Sequence, residues 1–262
     1  MHNEILTIGP FTIYGYGLMI AIGIISAYFV GEYRAKKANL SPDMIFSLVI
    51  WCVIAGYMGS KILYSLTIID QVIEDPTVLL NFADGWVVYG GIIGGIIGGW
   101  LCCKVHKADF IRYFDLVIPS VALAQGFGRI GCFLAGCCYG RECSGPFCVT
   151  FHTSNYAPND VPLVPTQLIS SACDFILFFI LIILASKVKK KGLVAGVYLL
   201  LYSIGRFVLE FFRGDIERGS VGVLSTSQFI GIFMALAGVI IIVCALKNKE
   251  IEREDTDDTI VQ

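Results

Sequence analysis

Apolar runs about as long as a bilayer is thick recur along this chain, and they confine it to a small set of folds. A hydrocarbon core about 30 Å thick is crossed by roughly 20 apolar residues in a helix. Seven stretches meet that length: 14–33, 44–68, 86–105, 113–134, 168–186, 193–212 and 222–246. With no water to bond the backbone, a run of this kind satisfies its own peptide groups only as a helix. Composition agrees, since 56% of the 262 residues are hydrophobic and only 15% are charged, against about 25% charged in soluble domains. The chain is therefore expected to be an all-α integral membrane protein with seven transmembrane helices. Residues 1–246 are expected to form one transmembrane domain, followed by a charged tail over 247–262. The first eight residues lack a basic patch and contain Glu4, so the first run reads as a retained span rather than a cleaved signal.

The loops orient the spans. Arg34, Lys36 and Lys37 follow the first span, and Lys104, Lys107 and Arg112 follow the third. Lys187, Lys189, Lys190 and Lys191 follow the fifth, and Lys247, Lys249 and Arg253 follow the last. The loop between the second and third spans instead carries Asp70, Glu74, Asp75 and Asp84. Basic loops stay in the cytoplasm, which puts the amino terminus outside and the carboxyl terminus inside. The membrane is thus an obligatory partner. Nucleic acid is not expected, because the net charge is −2 and no basic stretch is interleaved with aromatics.

Three features within the spans carry chemistry. The third span holds Gly90, Gly91, Gly94, Gly95, Gly98 and Gly99, a small-residue face that lets another backbone approach closely. Tight helix packing explains it. A functional alternative is that 89–91 lines a cavity for a lipid or peptide. Charges inside apolar spans cost about 2.5–3.5 kcal/mol each on insertion scales and so face a partner or a polar cavity. Tyr202, Arg206, Glu210 and Arg213 are spaced to share one helical face. Two guanidinium groups there suit a phosphate, which their planar forks bind bidentately. The alternative for Arg206 and Glu210 is a buried ion pair with only a structural role. Lys61 reads as a residue snorkelling to the outer interface.

The fourth span is interrupted by Asp115, Pro119, Gln125 and Arg129, and it leads into a segment with glycines at 126, 128, 131, 136 and 140. Those glycines predict close backbone approach and a break of the helix. Arg129 is a second candidate phosphate ligand. Five of the ten cysteines, Cys132, Cys137, Cys138, Cys143 and Cys148, crowd this end and the loop beyond. Three readings stand open: disulfides that staple an outer loop, a metal site, and a reactive thiolate at Cys132 or Cys137 beside Arg129. The spacing lacks the short C-x2-C pairs of common zinc sites, so no metal or other cofactor is expected. His152 is a candidate base for a thiol.

These residues together resemble the prolipoprotein diacylglyceryl transferase family. Tyr16-Gly-Leu-Met19 resembles its first-span motif, Gly90-Gly-Ile-Ile-Gly94 the glycine part of its third-span motif, and Pro165-Thr-Gln-Leu168 the segment before its fifth span. Asp115, Pro119, Gln125 and Gly128-Arg-Ile-Gly131 followed by Phe133 resemble its signature. Arg206-Phe-x-x-Glu210-x-x-Arg213 resembles its late arginine motif, and Ser227-Gln228 the start of its last span.

The resemblance implies seven spans with the amino terminus outside. It also implies transfer of a diacylglyceryl group from phosphatidylglycerol to a lipobox cysteine of a prolipoprotein, at the outer leaflet of a bacterial cytoplasmic membrane. Arg129, Arg206, Glu210 and Tyr89 are then the catalytic candidates. Arg213, Tyr202, Gly90, Gly91, Gln125 and Tyr16 are the substrate-binding candidates. Three departures stand out. Tyr89 replaces the histidine of the family's His-Gly-Gly and is a poorer base near neutral pH. Cys132, Ala135 and Cys137 replace two asparagines and a glutamate of the signature. Ile169 and Ser170 replace the Tyr-Glu after Gln-Leu. Alternative readings are a paralogue using Cys132 or Cys137 for other lipid or thiol-redox chemistry, and a non-enzymatic lipid-binding protein.

Overall fold

The structure, a computed structural model, describes residues 4–8, 11–80, 85–215 and 219–247. Asp84, Lys249, Arg253 and almost all of the charged tail lie outside the described residues. Among the described residues, seven helices are long and apolar enough to span a membrane: α1 (Gly15–Lys37), α2 (Pro42–Thr67), α4 (Val88–Val105), α5 (Phe110–Ala135), α6 (Thr166–Lys187), α7 (Leu193–Glu210) and α8 (Thr226–Lys247). They match the seven expected runs. A short helix α3 (Ile69–Glu74) and a 3-10 turn (Pro76–Leu80) lie between α2 and α4. Three small antiparallel hairpins complete the described chain: β1 (Glu4–Ile8) with β2 (Phe11–Tyr14), β3 (Val149–Thr150) with β4 (Pro162–Leu163), and β5 (Ser220–Val221) with β6 (Leu224–Ser225). Large apolar side chains such as Phe29, Ile54, Phe179 and Ile240 are exposed on the spans, as lipid-facing positions should be.

At two helix ends local geometry sets the boundary. The last span begins at Thr226, not 222, because Ser225 and Gln228 form a capping box there. The Ser225 amide donates to Gln228 Oε1 (3.1 Å), and the Gln228 amide donates to Ser225 Oγ (3.2 Å), which satisfies two donors at the helix start. α5 runs unbroken through Pro119, Gly126, Gly128 and Gly131 and stops only at Gly136, whose φ of 77° is the left-handed turn that ends a helix. Gly126 and Gly131 serve packing, whereas a Cβ on Gly128 would meet nothing within 4 Å. A Cβ on Gly126 would meet the Phe175 ring at 2.6 Å, and one on Gly131 would meet Tyr16 and Met19.

Two compact units divide the chain, one of residues 28–116 and one of residues 1–27 with 117–262. In the first, α2 packs on α4 through the glycine face. A Cβ on Gly90 would lie 2.3 Å from Gly59 O, and one on Gly94 would lie 2.2 Å from Ala55 O. Ser60 Oγ donates to Val87 O at 2.9 Å where the pair closes. Arg34, counted above among the loop cations, sits in the last turn of α1. Its guanidinium donates to Leu116 O and lies within reach of the Asp115 charge. Lys61 stacks its ammonium 4.6 Å from the Trp86 ring, a contact that supports a cation at a polar–apolar boundary.

In the second unit α7 packs on α8 around Gly196 and Gly238, whose added Cβ atoms would meet the other's carbonyl at about 3 Å. Ser171 Oγ on α6 donates to Gly126 O on α5 at 2.8 Å. The loop between α5 and α6 folds over a small core of Phe133, Phe151, Ala157 and Leu163.

Candidate active site

Most of the ionisable groups singled out in the spans converge in the unit of residues 1–27 and 117–262. On α7, Arg206 and Glu210 lie one turn apart, with a guanidinium nitrogen 2.8 Å from Glu210 Oε2 and side chains only 13% and 3% exposed. Arg213 follows the helix and reaches the same oxygen at 4.0 Å. Glu210 thus stands between two cations. Arg206 Nη2 also donates to Ser227 Oγ on α8 at 3.1 Å, so its two nitrogens fix it to two helices. Arg213 is held by Asp215 through Nε (3.0 Å) and Nη2. Burial disfavours its charged form. The Asp215 hydrogen bonds and the nearby Cys138 and Glu210 outweigh that and hold its pKa above the ordinary arginine value.

Arg129 on α5 completes the set. It lies within electrostatic reach of Tyr202, Cys132, Cys138 and Asp174, and Arg206 feels Arg129, Arg213, Glu210 and Tyr202. Among the described residues Arg129 has no carboxylate at ion-pair distance. Gln125, one turn earlier, accepts a hydrogen bond from Tyr198 Oη at 2.8 Å, and Tyr198 stacks on Tyr202 with ring centroids 5.6 Å apart. Tyr16 on α1 lies within reach of Arg129 and of Cys132, Cys137 and Cys138.

Asp174 on α6 belongs to this constellation and was not singled out in the sequence. It is 4% exposed, its Oδ2 has no hydrogen-bond partner among the described residues, and the charges of Arg129 and Arg206 act on it. The signal was available, because an aspartate inside an apolar run is costly wherever it lacks a partner. It was masked by the high hydropathy of the residues around it.

Tyr89, Gly90 and Gly91 lie in the other unit, at the first turn of α4. Tyr89 and Gly91 are half-buried, and Gly90 is buried against Gly59. Helix packing accounts for Gly90 by itself. His152 is at the surface, paired with Asp160 at 2.6 Å, and is not grouped with the thiols.

The five cysteines at the end of α5 and in the loop beyond divide into two sets. Cys143 and Cys148 form a disulfide, which answers part of the loop-staple reading. Cys132, Cys137 and Cys138 are free, with their three Sγ atoms all within 4.8 Å of one another. The helix end brings them together. The Gly136 amide donates to Phe133 O (3.2 Å) and the Cys137 amide to Cys132 O (3.1 Å), the paired bonds of a Schellman motif, in which the side chains corresponding to 132 and 137 meet. Cys138 takes a left-handed φ of 57° and turns into the same cluster. Gln167 Nε2 donates to Cys137 O (2.8 Å) and Thr166 Oγ1 to Cys138 O (2.9 Å). The buried start of α6 therefore holds both carbonyls. Short backbone bonds from Arg141 to Phe212 and from Gly214 to Tyr139 bring the loop alongside Arg213.

Comparison with known proteins now decides the lineage. The family described as prolipoprotein diacylglyceryl transferase matches residues 3–244. The chain belongs to the prolipoprotein diacylglyceryl transferase family. It is 47% identical over 229 residues to the phosphatidylglycerol–prolipoprotein diacylglyceryl transferase of Clostridium tetani, covering 87% of this chain and 92% of the relative. It is 46% identical to the second such transferase of Clostridium perfringens, over 87% of this chain and 90% of the relative. To the first transferase of the same strain it is 32% identical, over 95% of this chain and 97% of the relative. Membership makes the departures informative. Ser170, one of the positions that depart from the resembled motif, and Asp174 four residues later lie on the same face of α6, and both are buried.

Proposed function

We propose that the chain transfers the diacylglyceryl group of phosphatidylglycerol to the thiol of a lipobox cysteine in a prolipoprotein, releasing glycerol-1-phosphate. We place the reaction at the outer leaflet of a bacterial cytoplasmic membrane. The observation that carries the reading is the cluster of Arg129, Arg206 and Arg213, in which Arg206 and Arg213 are each paired with a carboxylate and Arg129 has none at ion-pair distance among the described residues. The reaction breaks a bond between carbon and phosphate oxygen, so negative charge gathers on the departing phosphate. A preorganised cation there stabilises the transition state more than the ground state. Arg129 meets the phosphate. Arg206, oriented by Glu210 and Ser227, and Arg213 supply the surrounding positive potential. Tyr16, Gln125 and Tyr202 line the approach, and Tyr89 with Gly90 and Gly91 stands for the family's histidine motif. The names of the relatives support the same substrates.

The test is complementation of a bacterial strain depleted of its own transferase. Rescue by the parent chain and none by Arg206→Ala, at equal membrane levels, is the expected outcome. Failure of a well-expressed parent would instead favour the second reading, the same fold turned to other lipid or thiol chemistry through Cys132 and Cys137.

A further inference from the structure

We propose that Cys132, Cys137 and Cys138 bind one zinc ion whose fourth position receives the thiol to be alkylated. The proposal deepens the transferase reading and rests on it for the identity of that thiol.

The geometry fits. Zinc–sulfur bonds of about 2.3 Å at tetrahedral angles set sulfurs roughly 3.8 Å apart, and the three Sγ atoms lie within 4.8 Å of one another. Contacts of the backbone and of a neighbouring helix define the site. The Schellman turn fixes Cys132 and Cys137, the left-handed backbone at Cys138 aims the third, and Gln167 and Thr166 hold the loop from behind. Zinc sites with three protein ligands keep a position for water or substrate and are the reactive kind. The sequence spacing argued against a metal because it lacks C-x2-C pairs, but the helix cap does the work of such a pair. An oxidised pair is the competing use of close thiols. In the structure Cys143 and Cys148 are bonded to each other, while these three sulfurs are not bonded to one another.

The chemistry matches what the chain has lost. The family histidine is tyrosine at position 89, so the neutral thiol nucleophile needs another route to thiolate. A thiol coordinated to zinc is deprotonated outright, and its proton passes to solvent. The thiolate lone pair then forms the sulfur–carbon bond to the glyceryl carbon. The carbon–oxygen bond to phosphate breaks with its electron pair on oxygen, and glycerol phosphate leaves as the dianion. The thioether product is a weak ligand, and water replaces it. Zinc changes no oxidation state. Three cysteinates and a substrate thiolate around zinc carry net negative charge, which Arg129 and Arg213 face, since Cys138 lies within reach of both and Cys132 of Arg129.

The test is metal analysis of the full chain purified in detergent without chelator, followed by stripping and titration with zinc and with cobalt. One zinc per chain and thiolate-to-cobalt charge-transfer absorption are expected. Cys132→Ser, Cys137→Ser and Cys138→Ser should each weaken zinc binding at least about tenfold, while Cys173→Ser should not. Less than stoichiometric zinc together with no cobalt charge-transfer band in the parent chain overturns the site without any variant needing to fold. Thiol counting that finds a disulfide among the three overturns it in favour of the redox use. Diacylglyceryl transfer that is equal in stripped and zinc-loaded protein overturns the catalytic role while leaving the transferase reading intact. A zinc-loaded protein with no transferase activity sinks the transferase reading and the identity of the bound thiol with it.

Discussion

Replacing Glu210 with glutamine removes one negative charge from between two guanidiniums while keeping the shape of the side chain. The two contacts are 2.8 Å to Arg206 and 4.0 Å to Arg213, with Glu210 3% exposed. At an effective dielectric near 20, charges about 4 Å apart interact by roughly 4 kcal/mol. Taking away one partner of a buried pair costs about 3–5 kcal/mol because the other charge is left uncompensated. If most of that loss falls on the orientation of Arg206 in the transition state, the rate falls about 10²–10³-fold. The assay is the initial rate of transfer from phosphatidylglycerol micelles to a fluorescent lipobox peptide, normalised to protein recovered from membranes. The double variant Arg206→Gln with Glu210→Gln separates the two roles of the pair. A structural pair replaced on both sides recovers stability and activity together, whereas a catalytic cation does not return when its partner is neutralised. Recovery of the double variant to within about threefold of the parent would show that the pair only stabilises the fold, and the reasoning here would fail.

Other consequences can be checked in parallel. Asp174→Asn should lower kcat by about tenfold or more with little change in KM, because its charge acts on Arg129 and Arg206; an unchanged kcat assigns it a packing role. Gly94→Val should prevent close approach of α2 and α4 and abolish the folded protein in thermal melts, since its Cβ would sit 2.2 Å from Ala55 O, whereas Gly17→Ala, with nothing within 4 Å, should melt like the parent. After reduction, Cys143 and Cys148 should react with a membrane-impermeant maleimide added to spheroplasts; labelling only after lysis would reverse the orientation read from the basic loops.

Much of this architecture was legible because a bilayer makes strict demands. Length and apolarity alone located all seven spans to within a few residues. The exceptions arose where side chains, not hydropathy, set the boundary, as with the Ser225–Gln228 box at α8. The shared face of Arg206, Glu210 and Arg213 followed from helical spacing, and the ion-pair distances agree with it. The amino-terminal hairpin was missed because its strands are short and merge into the first apolar run. Asp174 was missed because a window average hides one carboxylate among leucines and phenylalanines. The thiol cluster was half legible. Its cysteines were conspicuous, but their meeting depends on a helix-capping turn and on Gln167 and Thr166, some 30 residues away in sequence. No local pattern encodes that contact.

The central claim is that Arg129 receives the phosphate of the lipid donor. Phosphatidylglycerol labelled with tritium in its terminal glycerol, incubated with the purified chain and a lipobox peptide, reports it directly. Water-soluble glycerol phosphate should appear with the cysteine peptide, not with its serine counterpart, and should fall by at least about 10²-fold in Arg129→Ala. Equal release from the parent and from Arg129→Ala would contradict the assignment at its root.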